Sequence, residues 1–171
     1  MTGTTYNIPP QPPVAANNHL FPAGALTFGV EYRDVDPESL RATYRGNAEQ
    51  LAELEARSPE GGFSDNGVSI HVCGTDDGFE YLRFDVFDDE PHYHYVHRHD
   101  DGKIENQVIE FDATANGDML AWVNRCLRDR LAEMLEAAGG GRLVGRLDMN
   151  VIEPVLDDVV VMADAARRGH A

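Results

Sequence analysis

Four histidines fall between positions 92 and 99, in the run Glu90-Pro91-His92-Tyr93-His94-Tyr95-Val96-His97-Arg98-His99. Successive side chains of a strand point to opposite faces, so His92 and His94 share one face, and Tyr93, Tyr95, His97 and His99 share the other. Two imidazoles two residues apart on a strand can bind one metal ion or flank one substrate.

The partners of that pair follow from the neighbouring runs. A hairpin through Asp88 to Pro91 that sets Phe87 opposite His92 puts Asp85 opposite His94 and Arg83 opposite Val96. One face of the pair is then Tyr81, Arg83, Asp85, Phe87, His92, His94 and Val96, and the other is the apolar set Leu82, Phe84, Val86, Tyr93 and Tyr95. Placing Val68, Ile70 and Val72 on the apolar face leaves Ser69, His71 and Cys73 on the polar one. Pairing His97 with Glu105 after the Asp100-Asp101-Gly102 turn brings Asn106, Val108 and Glu110 to that polar face as well.

Two chemistries fit the group. In the first, His92, His94 and one or both of the carboxylates Glu110 and Asp85 hold a divalent ion such as Zn, Fe, Mn or Ni, which polarises a carbonyl or activates water. In the second, no metal is needed: Asp85 orients His94 as general acid or base, and Arg83 holds a developing oxyanion or a substrate carboxylate. Tyr81, Phe87 and His71 would contact the substrate. The first suits a lyase, isomerase, cyclase or hydrolase of small molecules, and the second an isomerase or dehydratase. Cys73 beside His71 reads more simply as a buried thiol than as a nucleophile. The Asp76-Asp77, Asp88-Asp89 and Asp100-Asp101 pairs sit in turn positions, where Asp is favoured for backbone reasons. Nothing specifies a nucleotide cofactor, because no Gly-rich loop leads from a strand into a helix.

The elements that must position these residues are legible in the pattern. Residues 1–24 carry Pro9, Pro10, Pro12, Pro13 and Pro22 and read as an extended arm. Leu26, Phe28, Val30 and Tyr32 alternate as a strand, and Asp36-Pro37 opens a helix whose stripe is Leu40, Tyr44, Ala48, Leu51 and Leu54. Four short runs with turn residues between them follow, from Val68 to Asp112, and read as an antiparallel meander. Asn116 or Asp118 caps a second long helix, which runs to Gly139-Gly140-Gly141. Arg142 to Leu147 reads as a short strand, and Pro154 to Ala163 as a last helix.

The expected fold is therefore α+β: a two-layer sandwich with a four- to five-stranded antiparallel sheet, two long helices on one face and a C-terminal helix. Residues 25–140 form the core, and 141–171 extend the same domain. The His-x-His pair resembles the first motif of the cupins, but Arg98 stands four residues after His94 and no later strand carries a histidine, so that assignment fails. The order of elements over residues 25–140 is similar in architecture to cystatin-like and helix-grip folds, a likeness that carries no residue roles.

Composition bounds the partners. With 14 basic and 30 acidic residues the chain carries a formal charge of −16, which disfavours nucleic acid and anionic membranes. Lys103 is the only lysine among those basic residues and Asp outnumbers Glu, a usage typical of GC-rich genomes and of salt-adapted proteins, which leads to the expectation of a bacterial source. Two cysteines without CxxC spacing, no apolar run of membrane length and no leader pattern lead to the expectation of a cytoplasmic protein with reduced thiols. Its partner would be a small-molecule substrate, and the arm and last helix offer a homodimer interface. The rival from another class is a non-catalytic acidic interaction module, docking through its charge and its Pro-rich arm.

Overall fold

The computed structural model describes residues 3–170. Its centre is a seven-stranded antiparallel sheet in the order β1-β7-β6-β5-β4-β3-β2. The strands are β1 Gly3–Tyr6, β2 His19–Ala23, β3 Leu26–Val35, β4 Asp65–Gly74, β5 Glu80–Phe87, β6 His92–Arg98 and β7 Ile104–Glu110. The helices are α1 Pro37–Tyr44, α2 Ala48–Arg57, α3 Ala113–Asn116, α4 Met119–Asp129, α5 Leu131–Ala137, α6 Gly141–Val144 and α7 Met149–Gly169.

The four-strand meander holds as expected, and the arm adds to it. Gly3–Tyr6 pairs with β7, and His19–Ala23 pairs with β3, so the arm supplies both edges of the sheet. Prolines permit this because Pro22 lies on an edge strand, where no ladder hydrogen bond need be donated outward.

Alternation sorts the two faces of the sheet. Val68, Ile70, Val72, Leu82, Phe84 and Val86 point to one face and pack with Leu120, Val123, Leu127, Leu135, Ile152, Leu156 and Val159 of α4, α5 and α7. The last helix is longer than expected because Asp148 caps it, accepting from the Asn150 amide at 3.0 Å, which starts it before Pro154. The second long helix is two, broken at Arg130 between α4 and α5, and its start is capped by Asp118. The segment 142–147 is not a strand: α6 occupies its first part and plants a fully buried Leu143 in the core. Gly139 makes the turn into it at a φ of +76°, and a Cβ there would lie 2.6 Å from His97.

The expected first helix differs more. Gly46 and Asn47 break it, Asn47 capping α2 by accepting from the amides of Glu49 and Gln50. Both halves lie on the polar face of the sheet, opposite α4, α5 and α7, because Leu40, Tyr44 and Leu54 come to the same cavity as Arg33, Asp85 and His92. The architecture thus has three layers rather than two. The polar face is roofed by α1, α2 and residues 7–18, with Tyr44 Oη donating to the Pro9 carbonyl at 2.7 Å and Gln11 Nε2 to Thr43 Oγ1 at 2.9 Å.

Candidate functional site

Strands β5 and β6 pair with Asp85 opposite His92 and Arg83 opposite His94, two residues along from the expected register. A shift of two keeps every side chain on its face, so the expected set still converges. The pairing of β6 with β7 is as expected, with His97 opposite Glu105 and His92 opposite Glu110.

Asp85 is the hub. Its Oδ2 lies 3.2 Å from His92 Nε2 and 3.0 Å from His94 Nε2. Each of these three residues offers a ligand atom within 4.8 Å of the others, and the group can hold a metal ion. The other polar atoms of the three are occupied from outside. His92 Nδ1 lies 2.7 Å from the Glu90 carbonyl, an acceptor only, so that nitrogen carries the proton. His94 Nδ1 lies 2.8 Å from Asn106 Oδ1, and Ser69 Oγ donates to Asp85 Oδ1. The turn that aims the Glu90 carbonyl is itself pinned, because the buried Asp65 carboxylate accepts from the amides of Asp89 and Glu90 at 3.2 and 2.7 Å.

These outer bonds leave one arrangement. With both Nδ1 atoms protonated, a neutral His92 or His94 presents a bare Nε2 lone pair to a carboxylate oxygen. Three acceptors so placed, in a site where His94 is 7% and Asp85 3% exposed, repel one another unless a proton or a cation sits among them. The spacing suits an ion: two donor atoms each about 2.1 Å from one metal lie about 3.0 Å apart at a right angle and about 3.4 Å apart at the tetrahedral angle.

Electrostatics push the two imidazoles apart. Burial opposes charge on His92, but the hydrogen bond and charge of Asp85 outweigh it and raise its pKa above the usual histidine value. Burial prevails at His94 and lowers its pKa despite the same carboxylate. Burial also disfavours charge on Asp85, yet its bonds to both histidines hold it well below the ordinary carboxylate range.

The cluster faces a cavity of about 380 Å³ between the sheet and its roof. Arg83, Phe87 and Glu110 line it. Phe87 and Phe63 both set ring edges against His92, at 5.5 and 5.7 Å between centroids. Glu110 is exposed at the mouth and stands outside the three-residue cluster, so Asp85 replaces it as the candidate carboxylate ligand.

Two expected site residues lie elsewhere. A bulge between Val72 and Cys73 places Cys73 opposite Glu80, so Glu80 takes the polar face and Tyr81 turns into the core layer, where Arg142 donates to its hydroxyl at 3.0 Å. His71 is 1% exposed and clamped between Glu80 Oε1 at 2.6 Å and Glu31 Oε1 at 3.2 Å, in an ion network beside the cavity. Arg83 belongs to both: it forks onto Glu80 with Nε at 2.7 Å and Nη2 at 2.8 Å while lining the cavity. Cys73 is no nucleophile at neutral pH, because burial pushes its thiol up to about 12. His97 and His99 stand on the other face, where His99 Nε2 lies 3.6 Å from Glu105 Oε2.

Asn106, Ser69, Asp65 and the roof were not assigned roles from sequence. The one available signal was Asn106, a strand-poor residue type in the middle of a strand on the polar face.

The family comparison covers the three-residue cluster and the residues bonded to it. The chain belongs to a family described as a domain of unknown function (DUF7700), whose model matches residues 20–163. That span contains Asp65, Ser69, Asp85, His92, His94 and Asn106, while β1 and residues 7–18 precede it. No curated protein and no solved structure matches the chain. Among the described residues, no helix is long and apolar enough to cross a membrane.

Proposed function

We propose that this chain is a metal-dependent enzyme acting on a small organic molecule, with a divalent transition metal held by Asp85 Oδ2, His92 Nε2 and His94 Nε2. The observation that carries the reading is the set of outer hydrogen bonds: Glu90, Asn106 and Ser69 each occupy the far atom of a ligand and leave the near atoms converging. Two histidines and one carboxylate leave coordination positions open, and here they open toward the cavity. Such an ion polarises a carbonyl or lowers the pKa of a bound water. Phe63, Phe87 and Tyr44 exclude bulk water, and the roof over the sheet holds the organic part of the substrate in place. Lyase, isomerase and hydrolase chemistry all fit this arrangement.

A metal-free reading has its own observation. The Nε2 to Oδ2 distances of 3.0 and 3.2 Å are also hydrogen-bond lengths, and the opposite pKa directions of His92 and His94 are those of an acid and a base. In that reading His92 holds a proton on Asp85, and neutral His94 shuttles one for an isomerase or dehydratase.

Cobalt(II) titration separates the two. Visible ligand-field bands that saturate at one ion per chain and vanish in Asp85→Asn support the metal centre. Absence of bands, with His92 and His94 titrating identically by NMR with and without cobalt, leaves the acid–base pair.

A further inference from the structure

Two buried guanidinium groups converge on one neutral carbonyl in the cavity wall. Arg83 Nη2 donates to the backbone oxygen of Gln11 at 2.7 Å, and Arg33 Nη1 donates to the same oxygen at 3.3 Å. Arg33 Nη2 also reaches Gln11 Oε1 at 2.6 Å. Arg33, Arg83 and Gln11 all line the cavity that holds Asp85, His92 and His94. A carboxylate matches a guanidinium in charge and takes two parallel bonds from its fork, which a single neutral carbonyl oxygen does not.

The charge balance around the cavity points the same way. Both ring nitrogens of His71 face carboxylate oxygens, so both carry protons and His71 counts as a cation. Arg33, Arg83 and His71 then stand against the buried carboxylates Glu31, Asp65, Glu80 and Asp85, a fixed balance of −1. A divalent ion on Asp85, His92 and His94 turns that balance into one positive charge in excess inside a chain whose formal charge is −16. The remaining charges at the cavity do not offset it from within: Glu90 and Glu110 are exposed at the mouth, and Arg57 pairs with Glu53 at 2.8 Å.

We infer that the cavity binds a small organic carboxylate, whose anionic group takes the Arg33 and Arg83 donors now held by the Gln11 carbonyl while its other end reaches the metal position. The volume of about 380 Å³ lies toward the small end of organic-ligand cavities, and Leu40, Leu54, Phe63 and Phe87 offer an apolar wall for a hydrocarbon body. The excess charge rests on the metal-centre reading; the arginine pair does not. Residues 7–18 act as a lid in this account, because the carbonyl that must yield belongs to Gln11.

The test uses benzoate and its neutral isostere benzamide, titrated calorimetrically into the full chain with and without one equivalent of cobalt(II). Cobalt-loaded protein should bind benzoate in preference to benzamide, and Arg33→Met should weaken benzoate roughly tenfold to a hundredfold while keeping its cobalt. Gln11→Glu, which spares both arginines and adds a carboxylate beside Arg33, should weaken benzoate in the same direction even if Arg33→Met fails to fold. Benzoate binding by metal-free protein that depends on Arg33 would also support the inference while cobalt exclusion removed the metal centre. Stoichiometric cobalt binding with benzoate no tighter than benzamide, or no weaker in both variants, overturns the inference and leaves the metal centre standing.

Discussion

His94 on β6 and Asn106 on β7 are diagonal neighbours, His94 standing opposite Val108 and Asn106 opposite Val96, with His94 Nδ1 2.8 Å from Asn106 Oδ1 and both side chains buried. This bond sets the histidine's tautomer and turns Nε2 toward Asp85. Replacing Asn106 with Leu removes the acceptor, frees the ring to donate from either nitrogen, and should lower metal affinity about 10- to 100-fold. The fold should survive, because Leu suits a buried strand position. Chelator competition on the purified variant measures the loss.

Glu110 provides the contrasting case. It pairs with His92 in the strand register but is exposed and outside the ligand cluster. Glu110→Gln should therefore retain metal within about threefold of wild type, whereas Asp85→Asn should lose it, a difference visible in parallel chelator titrations.

Metal binding should depend on pH through His92. The ion displaces a proton from Nε2, and the folded pKa of His92 lies above its usual 6.5. Apparent affinity should then fall about tenfold per unit as the pH drops below that raised value, and level off above it. His94, with a lowered pKa, adds nothing to this slope near neutrality. Cobalt affinity measured across pH 5 to 9 checks the direction, and His92→Ala should flatten what remains.

His71 should govern stability rather than affinity. Its folded pKa is raised, so its stabilisation is fully present below the usual 6.5 and is lost as pH climbs through the folded value. Burial opposes ionisation of Glu80, but Arg83 and His71 depress its pKa, so its contribution is present above the usual 4.5 and lost in acid. Urea stability should be greatest between these limits. His71→Leu leaves Glu31 and Glu80 facing without their shared cation, and should cost roughly 3–5 kcal/mol at pH 6.

Much of this site was legible because a strand's two-residue period survives errors of register. The hairpin slid by two residues, yet Asp85, His92 and His94 kept their face and met. An odd shift does not forgive: the bulge at Val72/Cys73 turned Tyr81 away and brought Glu80 in, and no turn residue in that strand announces it. The roof was hidden for a different reason. Proline content argues against a packed core but not against a strap held by side chains elsewhere in the chain. Gln11 is held by Arg33, Arg83, Ser39 and Thr43. The first helix likewise gave its stripe but not its side of the sheet, since either face could bury Leu40 and Leu54.

The central claim is that Asp85, His92 and His94 hold a metal ion, and elemental analysis tests it most directly. Protein purified without a histidine tag, beside a His92→Ala, His94→Ala double variant of equal fold by circular dichroism, should carry near one divalent ion per chain that the variant lacks. No metal in the wild type after incubation with zinc, iron, manganese and nickel, or equal metal in both proteins, would contradict it.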